Sequence, residues 1–355
     1  MPKKQVVTIT GIRPDFIRMA SVFKELDEHF DHIMIHTGQH YSKMLSDVFF
    51  DDLDIRKPDY NLGIGGEGID HTQQLGLLSM DIVELFRKEE KIHPDIILFL
   101  GDSNSVLASI PLRKEGYRIG HIEAGMRSGD MRMLEEINRK LCDQVSHDLF
   151  IYHENYRTKL LREGIEYSNI HTVGNTIVEV VQGITHTDTY HETEHILMDI
   201  HRPENFQYAD RMLKIMNYAT QYSLYFNLPI KMLEFPRAMK TMEEYGISIP
   251  DCIEIVPLMS FKDFLEAQCR SRFIFSDSGT AQEEPALFGV PVVVPRDFTE
   301  RPESVEHGCS FMLELRNQSY KESLTWIENA DPDSSWLGNG TAARQIRNYL
   351  LDTLK

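Results

Sequence analysis

The chain has 355 residues, with 37 Lys and Arg against 55 Asp and Glu and a formal net charge of −18 at pH 7. That length suits two domains, and the acidic balance opposes non-specific attraction to nucleic acid or to an anionic membrane surface. Any phosphate contact has to be local and shaped. The amino terminus has no apolar leader, no segment reaches the length of a membrane span, and the chain is expected to be soluble and cytoplasmic. Cys142, Cys252, Cys269 and Cys309 lack CxxC spacing, which argues against a disulfide framework and a zinc site.

Short apolar runs alternate with amphipathic stretches, the pattern of a parallel α/β sheet. A strand at 6–10 leads into a helix where Pro14 presets φ and Phe16, Met19, Ala20, Phe23 and Leu26 make one buried stripe. Arg13 and Arg18 are left near the strand's carboxyl end, where open α/β sheets bind ligands. Further strands are expected at 32–37, 96–100, 117–123 and 149–153. The polar passage 183–194 reads as a linker. It separates a first domain, 1–185, from a second, 186–340, with strands at 195–200, 228–233, 253–256, 272–277 and 291–295. A terminal helix at 341–355, with apolar residues Ile346, Leu350, Leu351 and Leu354, is expected to complete the first domain. The fold class is α/β, two Rossmann-like domains facing a cleft.

Five clusters stand at expected strand ends or helix starts. The segment Phe275-Ser-Asp-Ser-Gly-Thr-Ala-Gln-Glu-Glu-Pro285 runs from a strand through a small-residue turn into an acid-bearing helix. It reads either as a phosphate-binding junction, with Gly279 admitting the anion and Glu283 and Glu284 placed for sugar hydroxyls, or as a strand and a capped, solvated helix. Gly11-Ile-Arg-Pro-Asp15 with Arg18 offers guanidinium groups that can clamp a diphosphate, or a solvated turn. Asp102, after the apolar run 96–100, is either a helix cap or a catalytic acid.

The string His121-Ile-Glu-Ala-Gly125 continues through Arg127 to Glu135-Glu136-Ile-Asn-Arg139. On a helix, Glu135, Asn138 and Arg139 share one face, and Ile137, Leu141 and Val145 are expected to form the opposite, core-facing stripe. Together with Glu123 this gives carboxylates whose pKa values can be pushed apart into an acid and a base. His201 and Arg202, in Asp199-Ile-His201-Arg-Pro-Glu-Asn205, suit phosphate or proton work. His32, His36 and His40 have helical spacing in a strand and loop, and His186, His191 and His195 belong to the linker region, so none is read as a metal ligand.

With these strings in order, GIRPDFIRMA, HTGQHYSKMLSDVFF, GDSNS, HIEAGMRSGDMRMLEEINR, VGNTIVE, HRPEN and DSGTAQEEPALFGVPVVVPRDFTERPE, the chain resembles the non-hydrolysing UDP-N-acetylglucosamine 2-epimerases over nearly its whole length. That family shares the architecture of the B-type glycosyltransferases. The resemblance implies a catalytic set of Asp102, Glu123, Glu135, His201 and Arg18. It implies that Arg13 and His201 contact the UDP pyrophosphate with Ser278, Gly279 and Thr280, that Glu284 holds the ribose and that Phe264 stacks on uracil. Arg139, Arg202 and Arg301 become further sugar or phosphate contacts.

It also implies C2 inversion by elimination and re-addition of UDP, no cofactor and no metal, a homodimer, and a place in surface polysaccharide supply. No nucleic acid or membrane partner is expected. Arg18 stands where many members have Lys, Leu134 replaces a proline, and Thr280 replaces a glycine. Gln39 and His40 match the family's allosteric pair, but Ser42 and the absence of a Pro-Val-His string near 233–237 argue against allosteric activation by a second substrate molecule. The strings 60–66 and 131–135 are closer to the subgroup acting on UDP-2,3-diacetamido uronic acids, the alternative substrate class. A UDP-sugar glycosyltransferase and a catalytically silent nucleotide-sugar sensor are the other readings.

Overall fold

The computed structural model describes residues 3–39, 47–66, 68–185, 193–316 and 320–354. His40, Ser42, His186, His191 and most of the expected linker lie outside them. The chain divides into two compact units, Met1–Val180 with Leu337–Lys355, and Val181–Trp336.

In the first unit, β1 (Gln5–Thr10), β2 (Asp31–His36), β3 (Tyr60–Asn61), β4 (Ile96–Leu100), β5 (Ile119–Ile122), β6 (Asp148–Ile151) and β7 (Ile170–Thr172) form one sheet in the order β3-β2-β1-β4-β5-β6-β7. All its pairings are parallel, with Val6 opposite Ile96 and Ile9 opposite Phe99 in the β1–β4 ladder. The five residues of β4, Ile-Ile-Leu-Phe-Leu, are all buried, as a strand covered on both faces requires. The first helix, Arg13–His29, buries Phe16, Met19, Ala20, Phe23 and Leu26 on the expected stripe.

Asp15 caps that helix, accepting from the backbone N–H of Gly11 at 2.7 Å and of Ile12 at 3.1 Å. The terminal helix, Ala342–Thr353, packs on it, burying Ile346 and Leu350 and pairing Arg347 with Glu25 at 2.6 Å, while Leu351 turns outward.

The second unit holds β8 (His195–Asp199), β9 (Ile230–Leu233), β10 (Ile253–Val256), β11 (Ser271–Ser276), β12 (Val292–Val294) and β13 (Ser310–Met312), in the parallel order β10-β9-β8-β11-β12-β13. Its core gathers Met198, Met212, Ile215, Tyr222, Met232, Phe273 and Phe275 between the sheet and its helices. His195 is a buried residue of β8 rather than part of a linker. In both sheets the strand order reverses once, at β1/β4 and at β8/β11. A crevice opens beyond the carboxyl ends at such a reversal, because the connections leave on opposite faces.

Two further expectations fail. On the helix Leu134–Val145 the inward residues are Glu136, Asn138, Arg139, Cys142 and Asp143, whereas Ile137 and Leu141 are 41% and 40% exposed. The buried face is polar because it meets charged strand ends, so the apolar stripe points the other way. Beyond Gly279 the chain forms two short 3-10 turns, Thr280–Gln282 and Pro285–Phe288, in place of a regular helix. Pro285 lacks the N–H that a continuing helix needs.

Candidate active site

In the first unit the sequence-marked charges converge beyond β1, β4 and β5. Arg18, buried on the first helix, pairs with Glu123, the residue following β5, and both side chains are only 4% exposed. Arg139, reaching in from the helix Leu134–Val145, pairs with Asp102 beyond β4 and stands 3.7 Å from Glu123 Oε1. The result is a continuous chain of charges, Arg18–Glu123–Arg139–Asp102, in which each buried carboxylate has a cation to offset its desolvation.

Asn138 holds the turn after β4, donating to the Asp102 carbonyl at 2.8 Å and to Asn104 Oδ1 at 3.2 Å. Asp102 therefore stands in the charged chain and does not cap a helix. Glu123 has φ +68°, a left-handed backbone that few non-glycine residues adopt and that accompanies functional sites.

Glu135 is half-buried in the first turn of its helix, one turn before Arg139. Its neighbour Glu136 is fully buried and accepts from Ser128 N at 3.0 Å and Ser128 Oγ at 3.1 Å, so it fixes the preceding loop. Arg13 lays its guanidinium over the Phe49 ring, 5.1 Å from the centroid, and burial lowers its pKa against the attraction of Asp52. Among the described residues its buried Nε has no hydrogen-bond partner.

A group that sequence reasoning passed over adjoins this set. Burial pushes the Asp15 carboxyl up to about 7, against the hydrogen bonds from Gly11 and Ile12 and with the charge of Asp102 nearby.

In the second unit the turn after β8 is tied to the turn after β11. Asp277 accepts from the backbone N–H of His201 at 3.0 Å, of Arg202 at 3.1 Å, and from Asn205 Nδ2 at 2.8 Å. His201 Nδ1 lies 2.8 Å from Asp199 Oδ1, which fixes the ring and turns Nε2 away from that carboxylate. Burial opposes charge on His201, but Asp199 and then Asp277 outweigh it and raise its pKa. Asp199, His201 and Asp277 are also a group, among the described residues, whose ligand atoms lie within 4.8 Å of one another. Asp277, however, already accepts two backbone amides and a side-chain amide.

Ser278 N donates to Ser276 Oγ at 3.0 Å, and Ser278 Oγ lies 3.0 Å from Thr280 Oγ1. Gly279 is packed against charge: a Cβ there meets Glu300 Oε1 at 2.4 Å and Arg301 Nη1 at 2.6 Å. Arg301 in turn pairs with Glu283 and Glu300, each at 2.7 Å. Glu284 accepts from Gln268 Nε2 at 2.9 Å, and Phe264, four residues before Gln268 on the same helix, packs on the cluster of Leu197, Ile274 and Val292. Gln268 and Glu300 were not singled out in the sequence. The spacing of Gln268 one turn after Phe264 was the available signal for it.

Each unit thus presents its charged and small residues at a sheet reversal: carboxylates and guanidinium groups in the first, a histidine–carboxylate pair and a small-residue turn in the second. The family model described as UDP-N-acetylglucosamine 2-epimerase matches residues 24–351. The UDP-N-acetylglucosamine 2-epimerase of Methanococcus maripaludis is 35% identical over 320 residues, covering 84% of each chain.

The UDP-2,3-diacetamido-2,3-dideoxy-D-glucuronate 2-epimerase of Pseudomonas aeruginosa is 32% identical over 364 residues, covering 98% of this chain and 99% of that one. The crystal structure of the Methanocaldococcus jannaschii UDP-GlcNAc 2-epimerase with UDP-GlcNAc and UDP superposes with a TM-score of 0.86 at 30% identity, covering 98% of this chain and 99% of that one. The chain belongs to the UDP-N-acetylglucosamine 2-epimerase family.

Proposed function

We propose that this protein inverts C2 of a UDP-2-acetamido sugar, interconverting UDP-N-acetylglucosamine and UDP-N-acetylmannosamine. The observation that carries the reading is the charged chain Arg18–Glu123–Arg139–Asp102 beyond β4 and β5, in a family whose relatives are named for this reaction.

The C2 hydrogen of such a sugar is not adjacent to a carbonyl, so no enolate can take up the charge of simple deprotonation. Elimination avoids the problem. A carboxylate removes the C2 proton while the C1–O bond breaks, its electron pair leaving on the β-phosphate oxygen and the C2–H pair forming the C1=C2 bond. The products are a 2-acetamidoglucal and UDP. Re-addition of UDP at C1 with a proton delivered to the opposite face of C2 completes the inversion. Hydrogen moves only as a proton, so the pathway calls for no nicotinamide.

Asp102, Glu123 and Glu135 supply the acid and base, with Asp102 and Glu123 held in place by the buried guanidinium groups of Arg139 and Arg18. Arg13, Arg18, Arg139 and Arg202 stabilise the departing diphosphate, and His201, its ring fixed by Asp199 and its pKa raised by that carboxylate, faces it with Nε2. Ser278, Gly279 and Thr280 receive the phosphates on a turn where a side chain at 279 would press on the ends of Glu300 and Arg301. Glu284, oriented by Gln268, accepts from the ribose hydroxyls, and Phe264 stacks on uracil.

The enzyme works as a cytoplasmic homodimer in this reading. The exposed apolar residues Leu134, Ile137 and Leu141 on one helix and Leu75 and Met80 on the helix His71–Lys88, both packed on the turn Asn104–Ala108, support a self-associating face. A second substrate reading is a UDP-2,3-diacetamido uronic acid. The near full-length likeness to the Pseudomonas aeruginosa enzyme supports it.

Proton NMR in deuterium oxide with both classes of UDP-sugar decides. Loss of the C2 proton signal and growth of the epimer without added acceptor is expected for one of them. Transfer only in the presence of an acceptor contradicts the reading.

A further inference from the structure

Two residues of the string that carries Glu123, His121 and Arg127, take no part in the chemistry above. His121 is fully buried in β5. Its Nδ1 lies 2.7 Å from Asp143 Oδ1, and its Nε2 lies 2.8 Å from the carbonyl oxygen of Gly101. A carbonyl oxygen only accepts. Asp143 Oδ2 accepts from Gly125 N at 3.1 Å and from Arg127 Nη2 at 2.6 Å, so this carboxylate is ionised and acceptor-only too. Both ring nitrogens must therefore donate, and His121 is an imidazolium.

Burial works against that charge, but Cys142 and Asp143 outweigh it and push the His121 pKa up to about 10. Burial likewise works against charge on Asp143, yet His121 and then Arg127 hold its pKa below the ordinary value. Arg127 extends the network to Glu163 at 2.6 Å.

The backbone that this network grips is the backbone that aims the proposed acid and base. Gly101, with φ +74°, immediately precedes Asp102. Glu123 and Gly125, with φ +68° and +78°, make the turn whose amide Asp143 holds. A left-handed glutamate persists only where its surroundings over-determine it. Here the surroundings are a buried cation and anion with every donor and acceptor of the pair accounted for.

We propose that His121 is a positioning residue: donating from both ring nitrogens, it ties Gly101 to the 123–125 turn through Asp143 and so sets where the Asp102 and Glu123 carboxylates stand. This rests on the epimerase reading. A carboxylate displaced by about 1 Å loses on the order of a hundredfold in rate.

The test is kinetic and spectroscopic. His121→Gln, which keeps one donor of the two, is expected to lower kcat for C2 hydrogen exchange roughly 100-fold while KM and the Kd for UDP stay within about threefold. Ring-nitrogen NMR of the wild-type enzyme at pH 8.5 is expected to show a slowly exchanging imidazolium, a signature that needs no variant to fold. A folded His121→Gln with kcat within about threefold of wild type, or a wild-type spectrum lacking that ring, overturns the proposal. Wild-type enzyme that exchanges no C2 hydrogen from any UDP-2-acetamido sugar overturns the epimerase reading and the proposal with it. An active wild type beside an active His121→Gln overturns the positioning role alone.

Discussion

Glu123 has two demands on it: it is a proposed acid or base at C2, and it is the carboxylate of a buried ion pair with Arg18. Glu123→Gln should therefore lower turnover by roughly 100- to 10,000-fold, the usual worth of a positioned general acid or base. It should also destabilise the fold by up to about 3–5 kcal/mol, the cost of breaking a buried pair. Steady-state kinetics and thermal unfolding read the two separately, and turnover within a few-fold of wild type removes Glu123 from the mechanism.

Asp15 makes a prediction about pH. Its pKa rises from 3.8 in the unfolded chain to about 7 on folding, so the folded state holds the proton more tightly. The stability it contributes is complete below pH 3.8 and is lost as pH rises through 7. Each unit of separation is worth ~1.4 kcal/mol. Asp15→Asn keeps an acceptor for the Gly11 and Ile12 amides without the titration, so the difference in unfolding free energy between variant and wild type should grow in the variant's favour from pH 4 to pH 7. A constant difference contradicts the assignment. The acids Asp102, Glu123 and Glu135 were legible in the sequence because they stand beside expected strand ends or on one helix face with Arg139. Asp15 was legible only as a member of a string, since its burial depends on Ser103 arriving from a distant turn.

At the scale of elements, the helix Leu134–Val145 is the instructive case. Its periodicity was readable, but hydrophobicity assigned the buried face to Ile137 and Leu141, and the structure buries Asn138, Arg139, Cys142 and Asp143 instead. Apolar residues seek burial, yet this helix turns its polar residues inward toward charged strand ends, and in the proposed homodimer its exposed apolar residues meet the second copy. Ile137→Glu with Leu141→Lys should then shift the protein from dimer to monomer by sedimentation velocity with little loss of thermal stability. An unchanged sedimentation coefficient sinks that face as the interface.

The turn after β11 was marked in the sequence as a phosphate-binding candidate, but its form was not foreseen, because a helix was expected to run through Pro285. What the turn requires is space at residue 279. Gly279→Ala sets a methyl against the buried ends of Glu300 and Arg301 and should weaken UDP binding at least about tenfold by calorimetry, since those charged ends must move to admit it. Wild-type affinity in that variant contradicts the phosphate role. Strands of four or more residues were found within one or two residues of their expected ends. The strands β3, β7 and β13, of two or three residues, were not foreseen, because so short a run carries no period.

Over the whole molecule, two parallel sheets with one reversal each are what the alternation of apolar runs and amphipathic stretches led one to expect. The family was legible from seven strings in order, and its match over residues 24–351 agrees with that reading. Substrate choice was not legible, because no spacing in the chain gives the geometry of a sugar subsite. The central claim is that UDP departs from C1 as the hydrogen leaves C2. Its most direct measurement is incubation with UDP-N-acetylglucosamine in deuterium oxide, followed by proton NMR and mass analysis of the UDP-sugar pool. The account predicts one deuterium per molecule at C2 and accumulation of the C2 epimer, with no acceptor and no added cofactor. Epimer that retains its C2 hydrogen, or UDP released with no deuterium gained at C2, would contradict it.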